Sequence, residues 1–192
     1  MKQKLLFLLV SLLTSVAAMA QWVKPVPQYT TITYGDTIYL YNVGAQSFFL
    51  GANSWNTRAS VSPSKGYKCL LSIDEGTGNV IVTDSVEVGD KAGQLVKLLA
   101  GSETSVWIDY NNEGTYLWKF DLQNDGTYLI YNQQVGLENL PLGVDLLRDN
   151  KTELCLIDPE YLADAQVNWA IVSLASYQAY FAEMAVDDAA QL

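Results

Sequence analysis

The chain has 192 residues, no histidine, and a formal charge of −10 from 21 acidic against 11 basic side chains. A surface this acidic repels phosphate backbones and anionic headgroups, which argues against nucleic acid and membrane surfaces as partners. The missing imidazole removes the Ser-His-Asp and Cys-His arrangements and the commonest zinc ligand.

Lys2 and Lys4 precede an apolar run from Leu5 to Leu13, and Ala18-Met19-Ala20 is a small-x-small cleavage site. This is the pattern of a secretory signal peptide over residues 1–20, cut after Ala20. The run is short for a spanning helix. The expectation is an exported protein, secreted, periplasmic or on the cell surface. Export permits a disulfide between Cys69 and Cys155, worth about 4 kcal/mol in the chain-entropy model. Both cysteines also lie inside apolar runs (Cys69-Leu70-Leu71 and Leu154-Cys155-Leu156), where a free thiol behaves as a small hydrophobe.

Pro25 and Pro27 predict an extended, solvated lead-in over residues 21–36. The first β unit follows. Tyr39-Leu40-Tyr41-Asn42 reads as a strand, Val43-Gly44 as a turn, and Phe48-Phe49-Leu50 as a second strand. Ala59-Ser60-Val61-Ser62, stopped by Pro63, is a third, and Lys68 to Ile73 a fourth. A second unit runs through Asn79–Thr83, Gln94–Leu99, Ser105–Asp109 and Tyr116–Leu122. In its last strand Trp118, Phe120 and Leu122 alternate with Leu117, Lys119 and Asp121, the period of a half-buried strand. A third unit runs through Asp125–Asn132, Leu140–Asp145, Glu153–Ile157 and Asn168–Val172.

Opening strands near Tyr39, Val80 and Tyr128, and closing strands near Leu70, Trp118 and Trp169, recur at intervals that signal repeated supersecondary units. The predicted class is all-β: a β-trefoil of three four-stranded repeats over residues 37–174, with a β-sandwich as the alternative. From Ser176 the period changes. Tyr177, Tyr180, Phe181 and Met184 share one helical face, with Ser176 as the N-cap. Residues 175–192 are therefore read as an amphipathic helix, packed on the barrel or opening a further segment.

Any acidic chain offers carboxylate pairs. Asp84, Asp90, Asp109, Glu113, Asp121 and Asp145 are candidates for glycoside hydrolysis, and each reads equally well as a solvated turn residue. Aromatic residues are more telling. Trp55 in Asn53-Ser54-Trp55-Asn56 and Tyr110 in Asp109-Tyr110-Asn111-Asn112 are large rings flanked by amides and acids. Such a set can stack a sugar ring and hydrogen-bond its hydroxyls, although Trp55 can equally fold back as a lid. The candidate ligand-binding residues are Asn53, Trp55, Asp109, Tyr110 and Asn111.

From about Thr37 to Ser173 the units resemble ricin-type β-trefoil lectin domains. In that family an Ile-Asp or Leu-Asp after the second strand supplies a sugar-binding carboxylate, and a Gln-x-Trp marks the closing strand. Trp107-Ile108-Asp109 fits the first pattern. Leu50-Gly51 and Leu142-Gly143 lack the acid, and Trp118 and Trp169 lack the preceding Gln. The resemblance implies a non-catalytic carbohydrate-binding module of an exported bacterial protein, with no cofactor and a glycan as partner. The alternative is a protein-interaction or accessory domain of a larger surface protein.

Overall fold

The computed structural model describes residues 24–50, 57–85, 92–101, 104–109, 116–147 and 151–190, with backbone alone at 57, 164 and 187–190. The leader expected over residues 1–20 lies outside the described residues. What is described is all-β with one C-terminal helix, and every strand pair is antiparallel. The opening unit holds β2 (Thr37–Asn42), β3 (Ser47–Leu50), β5 (Ser60–Ser62) and β6 (Cys69–Ile73). The second holds β7 (Val80–Ser85), β8 (Leu95–Ala100), β9 (Val106–Asp109) and β10 (Leu117–Leu122). The third holds β11 (Tyr128–Asn132), β12 (Leu142–Asp145), β13 (Leu154–Leu156) and β15 (Trp169–Ser173). Three two-residue strands, β1 (Tyr29–Thr30), β4 (Thr57–Arg58) and β14 (Ala165–Gln166), and a 3-10 helix at Pro159–Asp164 carry no periodicity long enough to be read in advance.

The first and last strands of the units pair in a closed ring: β2 with β6, β6 with β7, β7 with β10, β10 with β11, β11 with β15, and β15 back to β2. The two middle strands of each unit form a hairpin attached to the ring. Side chains pointing into the ring include Leu40, Leu71, Val82, Ile130 and Ile171. Hairpin residues such as Phe49, Leu98, Val106, Leu142 and Leu154 extend the same core.

One layer of the core repeats three times. Cys69, Trp118 and Trp169 stand opposite Ile38, Val80 and Tyr128 on one side. On the other side Trp118 and Trp169 face Asn132 and Asn42. Cys69 adjoins the Leu70–Thr83 pair and so meets Asp84. These three polar residues are buried: Asn42 and Asn132 end the opening strands of their units, and Asp84 is the last residue but one of its strand. Asn42 Oδ1 accepts from Ala45 N at 2.9 Å, Asp84 Oδ1 from Ser85 N at 2.7 Å, and Asn132 Oδ1 from Gln134 N at 2.9 Å. The side chain thus turns the chain while the strand ends inside the core. Both indoles are also tied: Trp118 Nε1 donates to Leu98 O at 2.9 Å and Trp169 Nε1 to Leu142 O at 2.8 Å. The unit equivalence centres on Cys69 in the first closing strand, one residue from Leu70. That residue matters, because a slip of one moves a side chain to the other face: Cys69 is buried and Leu70 is 40% exposed.

Helix α1 (Leu174–Ala190) lies outside the ring over the seam where β15 meets β2. The N-cap is Ser173: its Oγ accepts from Ser176 N at 3.2 Å, so the expected cap at Ser176 sits one turn inside. The apolar face is the one expected. Tyr177, Tyr180, Phe181 and Met184 cover Tyr39, Tyr41, Phe48, Ala170 and Val172. Tyr177 stacks on Tyr39 with centroids 3.7 Å apart, and its hydroxyl accepts from Gly66 N at 2.9 Å. A Cβ on Gly66 would come within 2.7 Å of Phe48 Cβ, so the backbone can approach this cluster only as glycine. The lead-in is also more than solvated spacer. Pro27 is buried, and Tyr29 and Thr30 pair with Val172 and Ile171.

Cys69 and Cys155 are both buried, and no disulfide joins them. Burial, reinforced by the charge of Asp84, pushes the Cys69 thiol well above its usual range. Because the thiolate is the reactive form, neither cysteine should react with a thiol reagent in the native protein, and both should react in strong denaturant without a reductant. A single mixed-disulfide peak or no release in denaturant would show otherwise. Replacing Asn42 by Ala removes the acceptor for Ala45 N and the donor to Gln166 O. The unfolding free energy should fall by roughly 1–3 kcal/mol, read from denaturant midpoints. Breaking the exposed Lys119–Asp121 pair by Lys119→Ala should change it by less than about 1 kcal/mol.

Candidate functional site

The hairpin of β8 and β9 shows why one face is available. Val96, Leu98, Ala100, Val106 and Ile108 alternate inward and are buried. Lys97, Leu99, Trp107 and Asp109 therefore alternate outward, and each is half-buried. Register pairs Lys97 with Asp109 and Leu99 with Trp107, while β4 brings Arg58 opposite Trp107. The Arg58 guanidinium lies 4.4 Å from the centre of the Trp107 ring, and Lys97 Nζ lies 4.2 Å from that of Tyr116. Each such contact is worth about 0.5–1 kcal/mol at an exposed site. Trp107 Nε1 donates to Ser105 Oγ at 2.9 Å. A Cβ at Gly101 would stand 2.6 Å from Trp107 Cδ1 and Nε1, so the indole lies directly against this glycine. The result is a surface of two held rings, two cations and one carboxylate.

Of the residues expected at the site, Asp109 is described. It closes β9, the third strand of its unit, rather than following the second as the family pattern has it. Tyr41, Thr83 and Tyr131 stand opposite Phe48, Lys97 and Pro141, which in turn face Ser62, Asp109 and Ile157. The counterparts of Asp109 are thus Ser62 and Ile157, in place of the Leu50-Gly51 and Leu142-Gly143 steps. Asn53, Trp55, Tyr110 and Asn111 lie outside the described residues. Their attachment points do not: Thr57, just after the Trp55 stretch, is paired with Ile108, just before Asp109 and Tyr110. The two stretches therefore join the fold at adjacent strand ends.

Trp107, Arg58, Lys97 and Tyr116 were not singled out by sequence. The signal for Trp107 and Lys97 was the alternation itself, since burying Ile108 and Leu98 turns their neighbours outward. Arg58 and Tyr116 depend on β4 and on the approach to β10, which no local pattern announces. Among the other carboxylates, Asp84 is in the core, Asp121 pairs with exposed Lys119 at 2.9 Å, and Asp90 and Glu113 lie outside the described residues. Among the described residues no three His, Cys, Asp or Glu are grouped to hold a metal ion, and no helix is long and apolar enough to cross a membrane.

No protein-family model matches the sequence, and no curated protein does. Solved structures match in fold. A mosquitocidal holotoxin aligns at TM-score 0.57 and 11% identity over 74% of this chain. Lysenin in complex with phosphocholine aligns at 0.55 and 13% over 77%, and a β-1,3-galactosidase at 0.55 and 15% over 82%. The chain spans 18%, 47% and 33% of these three proteins respectively.

Gly101→Ala should displace the Trp107 indole from its seat. The expected result is a red-shifted tryptophan emission with an unchanged far-ultraviolet spectrum; an identical emission maximum would show that the ring is not held there.

Proposed function

We propose that the six-stranded ring with its three hairpins is a β-trefoil related to the ricin-type lectins, and that the protein is a non-catalytic carbohydrate-binding module of an exported bacterial protein. The observation that carries this reading is the outward face of β8, β9 and β4. It offers the flat ring of Trp107, the carboxylate of Asp109, and two polar, aromatic stretches joined at neighbouring strand ends. Rings stack the apolar face of a sugar, while carboxylates and amides take its hydroxyls. The acidic charge suits a neutral ligand.

The similar proteins give support of a limited kind. One is a β-1,3-galactosidase of which this chain spans a third, as an accessory module would, and another is a complex with the small polar ligand phosphocholine. The signal-peptide pattern supports export. The alternative, a protein-docking domain of a larger surface protein, draws on the same length comparison. It draws less on the C-terminal helix, whose apolar face is already covered by the ring.

On a glycan array the labelled protein should retain neutral oligosaccharides. Asp109→Ala, Trp107→Ala and Trp55→Ala should each lower that signal tenfold or more with no loss of folding. An array without a ligand, or one indifferent to all three substitutions, would sink the reading.

A further inference from the structure

Among the described residues helix α1 has no counterpart in the other two units, where the position of Phe48 holds Lys97 and Pro141. Between the middle of α1, the lead-in and the end of β5 lies an open cleft of about 360 Å³, lined by Lys24, Pro63, Ser64, Phe181, Met184 and Ala185. Each stretch is brought there for a local reason. The helical period turns Phe181 and Met184 toward the ring. Phe181 packs 5.7 Å from Phe48 between centroids, with Tyr177 and Tyr180 each 4.9 Å away. Pro63 stops β5, and Ser64 N donates to Ser62 Oγ at 3.3 Å. Pairing of Tyr29 and Thr30 with β15 lays the lead-in along the ring, and Lys24 Nζ donates to Gln46 O at 3.0 Å in the turn between β2 and β3.

The chemistry of this cleft differs from that of the β8–β9 face. Its walls are the apolar side chains of Pro63, Phe181, Met184 and Ala185, and its polar side chains are Lys24 and Ser64. Phe181 is braced by its ring neighbours, whereas Met184 is unbranched and can follow the shape of a guest. Lys24 is half-buried, and burial holds its pKa below the ordinary lysine value. Gln46 O occupies one of the N–H donors of its ammonium. An opposite charge brought into the cleft would offset the desolvation of that ammonium. On a chain of formal charge −10 this is a locally cationic spot. Lys65 follows Ser64, its Nζ 4.9 Å from the centre of the Tyr67 ring, and the neighbouring acid on the helix, Glu183, is exposed. A sugar would find few partners for its hydroxyls here, and a wholly apolar guest would leave the ammonium against hydrocarbon.

We propose that the cleft between α1 and the lead-in binds a monomeric aliphatic carboxylate, its chain lying on Pro63, Phe181, Met184 and Ala185 and its head group accepting from the Lys24 ammonium. The volume suits a small molecule, since ligand sites run to about 300–1,000 Å³. Chain burial supplies a drive that is not directional, and the charge-assisted hydrogen bond to Lys24 fixes which end of the guest enters first. The proposal draws on no residue of the β8–β9 face, and failure of one leaves the other untouched.

Met184 provides the probe, since the other methionines are Met1 and Met19. The full chain, labelled with carbon-13 at the methionine methyl groups, is titrated with sodium decanoate, decan-1-ol and sodium acetate, and the Met184 signal is assigned by Met184→Leu. Decanoate below its micelle concentration should shift that methyl to saturation, decan-1-ol should need at least tenfold more, and acetate should leave it unmoved. Lys24→Gln should weaken decanoate tenfold or more without changing the response to decan-1-ol, and Lys24→Arg, which keeps the charge, should retain most of the affinity. Ala185→Trp, at an exposed helical position, should fill the cleft and abolish saturation with an unchanged far-ultraviolet spectrum. No shift below the micelle concentration overturns the proposal, as does equal affinity for decan-1-ol or indifference to Lys24→Gln. Binding that appears only after Trp22→Ala also overturns it, because the chain itself then fills the cleft.

Discussion

The pairing of β15 with β2 is the constraint on which the architecture depends. It runs from Trp169–Asn42 to Ser173–Ile38 and turns a row of strands into a ring. Without it β2 and β15 would each present an open edge, with unpaired backbone groups beside a largely apolar interior. The aromatic seat of α1 is made from the outer faces of these same two strands and Phe48. Closure therefore creates the surface that the helix then covers. The ring must close tightly enough for the Cys69, Trp118 and Trp169 layer to fill its centre, and the buried Asn42 and Asn132 sit directly opposite the two indoles. Asn42 and Asn132 are tolerated there because their side-chain oxygens accept from backbone amides of the turns that follow their strands.

Much of this was legible in the sequence. Strands of four to six residues rich in β-branched and aromatic residues announced themselves, and so did the helix face of Tyr177, Tyr180, Phe181 and Met184. The first unit was placed one residue off because Cys69 stands where the other units have tryptophan. A small thiol between a lysine and a pair of leucines gives no phase, whereas a buried indole does. The short strands β1, β4 and β14 were invisible, since two residues carry no period and their pairing is decided by partners far along the chain. The outward face of β8 and β9 was half legible. Asp109 was visible as part of Ile-Asp, but it closes the third strand of its unit, whereas the family pattern places the acid after the second. Trp107 was quoted as the neighbour of Asp109 and overlooked as a ring in its own right.

The three units share a frame and differ in what they mount on it. At the junction of the first and second, a tryptophan and a tyrosine each carry a cation, with Asp109 alongside. At the junction of the second and third, an apolar floor is edged by two aspartates and an exposed tyrosine. Repetition fixes where a surface recess can form, and local substitutions decide its chemistry. Charged residues such as Lys97 at one unit correspond to Phe48 and Pro141 at the others. The first of these is committed to the seat of α1, so that position has no role left to play in solution.

The order in which the ring is completed follows from its topology. Each hairpin is local and can form as soon as its residues are available, but the seam joins residues more than a hundred positions apart. Contacts of that span bear the loop-closure entropy before they return any stabilisation, which makes them late and slow. A chain shortened before β15 would hold five ring strands and leave Leu40, Phe49 and their neighbours at an unprotected edge. Completion of the core thus waits on nearly the whole polypeptide. Such a topology keeps the chain open until its last strand has arrived.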